Sequence, residues 1–563
     1  MAKMSVKGIK MNVGKFAGFK KVIGPTAAFI SVAGILAGAV ACKSRLFNSQ
    51  NPKSDAASDK ARDSWPVERA RRQHELDTYL AKNAKELRAF TSIPMAHIGI
   101  PYMIFRILPE MFPEYFGSFG PDFKNIGMGP NPYATDARVP LGFGYSVSKA
   151  PFIQVVTLTC GACHVGRVRV DQGNGEGPKE KLLVGAPNTR ADLNRFTDAV
   201  GQSILSPKFT EENVRAVLDA KPAGWFYANP VLETAERQLY KILLGKIVKA
   251  AREGIGKSRA HRDMLLTNRT YGERNGAMNF YDASPGRNDA FGLVLIHVLD
   301  EASATQGPAQ PTIVDIMSVW KQKDRAINHW GGDTSASINS AVGAAFGIAG
   351  NTDTLGRESV NASNAFIQDL PSPPYPFEVD SALAARGENL FEHNCASCHK
   401  PRETRVFPAA STGTDPARAR LLTPFAGKKF DDAVREGCLK TVPKKDCEGP
   451  IVIRTAPDSG YAATPLDGIW ARAPYLHNGS VPTLKQLLVP SSRATKFNRG
   501  SLDYDTKEVG FAWKDATEGT VPYDTTLVAQ KNTGHDSAEF LGGVDWSTDE
   551  SALAALLEYL KTL

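Results

Sequence analysis

Val22 to Ala41 is a run of twenty residues without a charge, which at about 1.5 Å per helical residue matches the roughly 30 Å of a bilayer core. From Lys43 to about Ser64 the chain turns polar and rich in alanine and serine, the composition of a tether. Trp65 to Phe90 mixes charges with recurring apolar positions and predicts a helix. Ile93 to Gly144 is dense in proline, glycine and aromatic residues and reads as a folded but irregular wrap. Its apolar run Ile98 to Leu108, broken by Pro101, is too short to span a membrane.

Further along, an apolar β-branched run, Ile153 to Leu158, precedes Cys160. Val231 to Glu253 is the clearest helix of this half, with Ala235, Leu239, Ile242, Leu243 and Ile247 on one expected core face and Gly254 to end it. Leu370 to Pro376 carries four prolines, which neither continue a helix nor enter a central strand, and marks a domain boundary. After it, Asp380 or Ser381 caps a helix carrying Gly387 and Phe391 up to Cys395. The chain closes on Ser547 to Glu550, a capping sequence, and an amphipathic helix from Ala552 to Leu563 with Leu553, Leu556, Leu557 and Leu560 apolar.

Charge changes this picture only at the amino terminus. The formal net charge is +8, but Lys3, Lys7, Lys10, Lys15, Lys20 and Lys21 all precede Val22 with no acid among them. The rest is nearly neutral, which argues against nucleic acid as a partner. The basic side of residues 22–41 stays in the cytoplasm and the remainder is exported, leaving the protein on the periplasmic side of a bacterial membrane. Three fates compete for this segment: an uncleaved anchor, lipidation at Cys42, or secretion.

Seven cysteines remain to be placed. Cys160-Gly161-Ala162-Cys163-His164 and Cys395-Ala396-Ser397-Cys398-His399 share one spacing. Two thiols three residues apart can each add to a haem vinyl group, and the following histidine then sits under the iron. A closed zinc site wants four ligands, and neither motif has a second cysteine pair nearby. A dithiol redox pair should open a helix in a βαβ unit, which is not visible here. Two covalently bound haem c groups are therefore expected, with His164 and His399 as proximal ligands. Cys438 and Cys447 either close a short disulfide loop or remain free thiols.

The second haem needs a sixth ligand from downstream. All ten methionines lie at or before Met317, so a histidine must serve: His535, which is preferred, or His477. Bis-histidine ligation predicts a low-potential, low-spin haem. His261, His297 and His329, with Met264, Met278 and Met317, lie in the first half, where ordinary packing is the expected role of each.

These motifs, with Trp470-Ala471-Arg472-Ala473-Pro474-Tyr475-Leu476-His477-Asn478-Gly479-Ser480-Val481-Pro482-Thr483-Leu484 and with Asn532 to His535 before a final helix, resemble the di-haem cytochrome c peroxidase superfamily. Pro285 to Phe291 and His329-Trp330-Gly331-Gly332 make the chain most similar to the rubber-oxygenase-type cytochromes. The resemblance implies a reactive first haem on His164 with an open or exchangeable distal face, and a second haem on His399 that transfers electrons. It implies that Tyr475 lies near the second haem and that His535 is its distal ligand. Trp330 and Tyr475 are candidate catalytic residues beside the haem pair, and a buried core role is the competing reading for Trp330. One departure stands out: the stretch Ser335 to Ala341, where the peroxidases place an acid for O–O cleavage, has none after Asp333.

The expected fold is mainly α with long irregular loops and two cytochrome c-like haem domains, the first heavily elaborated. Its divisions are 1–45, a basic segment with anchor or signal; 46–150, tether and wrap; 151–370, the first haem domain; and 371–563, the second. The expected function is an exported oxidoreductase whose first haem reacts with peroxide or dioxygen, using a redox partner protein or a small oxidant. The alternative is a di-haem electron carrier without substrate chemistry of its own.

Overall fold

A computed structural model describes residues 64–148, 152–171, 177–268, 285–288, 313–334, 337–348, 350–399, 405–420, 424–447 and 459–563. Val22 to Ala41 and Cys42 lie outside them, and among the described residues no helix is long and apolar enough to cross a membrane. From Ser64 onward the described residues belong to one unit, a mixture of helices, loops and short strands paired in small sheets.

The stretch Trp65 to Phe90 forms two helices, α1 (Trp65–Lys82) and α2 (Ala84–Ser92), broken at Asn83. Trp65 is buried, and its indole donates to the Phe377 carbonyl at 3.0 Å, which ties α1 to the residue just after the proline-rich stretch 370–376. The wrap is more ordered than its composition suggests. After the short strand β1 (Ile100–Pro101) it holds α3 (Tyr102–Met111). Pro101 stands before the first helical residue, where a missing N–H costs no helix bond, and Pro109 falls in the last turn. Six residues of α3 are buried in an amino-terminal core with Phe116, Phe119, Phe123, Phe143 and Phe196.

An antiparallel hairpin, β2 (Phe143–Val147) and β3 (Gln154–Leu158), runs into α4 (Cys160–His164), whose five residues are the first haem-type motif. A second hairpin, β4 (Val165–Asp171) and β5 (Pro178–Val184), follows at once. The helices α5 (Leu193–Leu205), α6 (Glu211–Asp219) and α7 (Pro230–Asn268) come next.

The buried face of α7 is in part the expected one: Ile247 is buried and Leu239 and Leu243 pack against the core, while Ala235 is exposed. Tyr240, Leu244, Ile247 and Val248 face the core together with Glu233 and Glu236, while Ile242 is 77 % exposed. The two carboxylates are drawn inward by backbone donors. Glu233 accepts from the amides of Phe226 and Tyr227, and Glu236 accepts from Gln154 N at 3.1 Å and the Tyr227 hydroxyl at 2.5 Å. Burial lifts the Glu236 carboxyl to about 7.

Beyond residue 313 come α8 (Ser337–Gly347), α9 (Arg357–Gln368) and α10 (Ser381–Asn394), the last capped by Asp380 through the amides of Ala382 and Leu383. Strand β6 (Val406–Pro408), α11 (Pro424–Leu439), strand β7 (Gly460–Ala462), paired with β6, and α12 (Leu484–Leu488) lead to α13 (Glu550–Lys561), capped by Asp549. Helices α10 and α13 cross at Gly387, where a Cβ would collide with the Ala555 carbonyl, so only glycine permits this approach. Phe391 and Tyr559 pack beside the crossing, ring centres 5.2 Å apart.

The central core gathers residues from Trp65 to Leu560 on both sides of the proline-rich stretch. A third core joins α8 to α11 and contains Cys438 and Cys447, which form a disulfide.

Candidate haem-binding sites

The first motif sits where the three cores meet: Cys160 packs against the central and third cores, and Cys163 against the amino-terminal one. The second motif follows α10 as a run of turns, with Cys395 against the central core. All four thiols are free, and burial pushes Cys160 up to about 11 and Cys163 and Cys395 to about 12.

Both motif histidines are held the same way. His164 Nδ1 lies 2.9 Å from the Met317 carbonyl, and His399 Nδ1 lies 2.9 Å from the Thr464 carbonyl. A carbonyl only accepts, so Nδ1 carries the proton in each and Nε2 keeps a lone pair for a metal. Burial lowers both, His164 to about 4, which favours the neutral ligating form.

Opposite His399 stands His535, ring centres 6.5 Å apart and planes 39° to one another. An iron bonded to two imidazoles at about 2 Å, each ring centre about 1.1 Å beyond its nitrogen, sets the centres roughly 6.2 Å apart. The observed pair fits a haem iron between them. His535 is half-buried, held near 4 chiefly by loss of solvation, and its Nδ1 finds no hydrogen-bond partner in the protein. Among the described residues no ring faces His164 in the way His535 faces His399. His261 and Met264 have no described side chain, and Met278 and His297 lie outside the described residues.

His477 is turned elsewhere. Its ring stacks on Tyr461 at 4.0 Å, and Nε2 lies 3.1 Å from the Tyr461 hydroxyl. Tyr475 is buried with its hydroxyl 3.2 and 3.3 Å from the carbonyls of Ile469 and Val509.

Trp330 lies between the two motif histidines in bonding terms. Its indole donates to the Asp315 carbonyl at 2.8 Å, two residues before Met317. Its own carbonyl accepts from Ala462 N at 2.8 Å, two residues before Thr464. Asp333 is buried in an ion pair with Arg418 at 2.6 Å, with His329 Nδ1 at 4.0 Å. Sequence reasoning missed Arg418, Thr464 and the Met317 carbonyl. A main-chain acceptor has no residue signature, and a lone arginine gains meaning only once Asp333 lies beside it.

Residues 460–498 match the family model described as RoxA-like, cytochrome c-like, so this part of the chain is cytochrome c-like and links it in part to the rubber-oxygenase type. Residues 87–164 match the Y4iN-like domain, a match that ends on the first motif's histidine. The chain is 34% identical to the uncharacterized protein y4iM of Sinorhizobium fredii over 62% of its own length and 96% of that protein's, and it belongs to the same family. It is also similar to y4iJ of that organism, 26% identical over 73% of this chain and 77% of the relative. A third relative there, y4iN, is 28% identical over 20% of this chain and 63% of its own length.

Proposed function

We propose that this chain is an exported di-haem c-type oxidoreductase on the periplasmic side of a membrane, held there by residues 22–41 or by lipid at Cys42. In this reading Cys160 and Cys163 fix one haem over His164, and Cys395 and Cys398 fix the other over His399. A haem with an open coordination position supplies peroxide or dioxygen chemistry, whereas one filled on both faces supplies electron transfer alone. The observation that carries the reading is the placement of His535 opposite His399. In this reading His535 fills the second site and leaves any reaction to the first. The cytochrome c-like segment supports the haem redox class.

The chain's own residues give Trp330 a role. From His164 the hydrogen bonds run through Met317, along two residues to Asp315, across the Trp330 indole and carbonyl to Ala462, and on to Thr464 and His399. We assign Trp330 to electronic coupling of the two sites, and Tyr475 to support of the second. A redox partner protein completes the circuit.

The alternative, a di-haem electron carrier, gains from one observation: Asp333, the acid at the end of the tryptophan-glycine turn, is neutralised by Arg418 rather than left to move protons. Ferric spectra of the purified holoprotein with and without cyanide separate the two. A high-spin component that cyanide converts supports the oxidoreductase, and two low-spin haems indifferent to cyanide support the carrier.

A further inference from the structure

Arg493, just after the short helix α12, keeps its side chain buried, 5% exposed. Its guanidinium places N–H groups on five backbone carbonyls. Nε donates to Gln486 at 3.1 Å and Nη2 to Leu487 at 3.1 Å, both in the last turn of α12. Nη1 donates to Asn532 at 2.7 Å and Gly534 at 2.9 Å, and Nη2 also reaches His535 at 3.2 Å. The Asp536 carboxylate stands 3.8 Å away. The last carbonyls of a helix lack partners within it, so Arg493 completes α12 on one side and ties down the His535 loop on the other.

That loop needs tying. His535 has φ +52 and Gly534 φ +94, and a Cβ at Gly534 would collide with Thr414. A left-handed non-glycine residue persists only where its surroundings over-determine it. Here the surroundings are Arg493 and a bond from His535 N to the Thr412 carbonyl at 3.2 Å.

We infer that Arg493 is the positioning residue for the sixth ligand of the second haem: it fixes the His535 loop so that the iron stays closed to small ligands in both oxidation states. The inference rests on the reading of His535 as that ligand. The planar five-donor fork is what the site uses. Lysine, with three donors about one point, cannot bridge five carbonyls.

The test uses full-length holoprotein with Arg493→Lys, Arg493→Gln and, separately, His535→Ala. Haem content and far-ultraviolet circular dichroism report folding, low-temperature electron paramagnetic resonance reports spin state, and carbon monoxide titration of the reduced protein reports access. Both Arg493 variants are expected to keep two haems and the first haem's signals, while the second haem loses part of its low-spin signal and gains carbon monoxide binding. Added imidazole is expected to restore the low-spin signal. A folded Arg493 variant whose second haem stays wholly low-spin and closed overturns the inference, whatever His535→Ala does. A low-spin His535→Ala protein instead overturns the ligand reading beneath it. Should neither Arg493 variant fold, Gly534→Ala displaces the same loop from the Thr414 side, and an unchanged second haem there also counts against positioning by this loop.

Discussion

The imidazoles of His399 and His535, 136 positions apart in the chain, face each other with ring centres 6.5 Å apart. That separation is close to the roughly 6.2 Å expected of two imidazoles on one iron, the arrangement proposed above. Replacing His535 with alanine is expected to turn the second haem high-spin and open it to carbon monoxide. His477→Phe is expected to leave both spectra unchanged and to cost about 1–3 kcal/mol in stability, through the lost bond to Tyr461. Exchange of these two outcomes would transfer the ligand role to His477.

Trp330→Phe removes the indole N–H and strands the Asp315 carbonyl. A cost of about 1–3 kcal/mol in unfolding free energy is expected. Transient reduction of one haem, followed optically at both, should show slower equilibration between them with unchanged equilibrium potentials. An unaltered rate would remove Trp330 from the coupling path.

Stability should fall as pH rises through the range where Glu236 titrates. Its carboxyl is at about 7 in the folded chain against 4.5 as the ordinary value. Between those values the native state holds a proton that the unfolded state has released, so stability declines with rising pH. The contribution is complete below pH 4.5 and lost above 7. It amounts to something on the order of 3 kcal/mol. Glu236→Gln keeps an acceptor for Gln154 N and a donor toward the Tyr227 oxygen. Denaturant titrations at several pH values should show its slope flattened and its stability above wild type at pH about 8.

The Cys438–Cys447 bond closes a loop with a sequence separation of 9 behind α8 and α11. Chain-entropy arguments put its loss at about 2–3 kcal/mol. Cys438→Ala with Cys447→Ala should lower the denaturation midpoint accordingly and make it insensitive to reductant. A midpoint equal to that of the oxidised wild type would show that packing alone holds this corner.

What could be read in the sequence was local. The caps at Asp380 and Asp549 and the glycine at 387 act through neighbours a few residues away or through one close contact, and their residue types announce it. The apolar stripe of α7 was legible at Leu239, Leu243 and Ile247, but periodicity counts side chains and not backbone donors. Glu233 and Glu236 are inside because amides of Phe226, Tyr227 and Gln154 point at them. The helix Tyr102–Met111 was hidden by Pro101, which stands just before it, and by Pro109, which lies inside its last turn and forgoes one helix bond. At the candidate sites the motif cysteines and histidines were legible. The carbonyls of Met317 and Thr464 and the loop clamp of Arg493 were not, since they depend on which distant segments meet.

The most direct measurement is the ferric electron paramagnetic resonance spectrum of the purified, full-length holoprotein, recorded before and after cyanide. The account predicts one low-spin haem that cyanide leaves untouched and a second haem, high-spin or exchangeable, whose signal cyanide replaces. Two haems that both ignore cyanide, or a single haem in place of two, would contradict it.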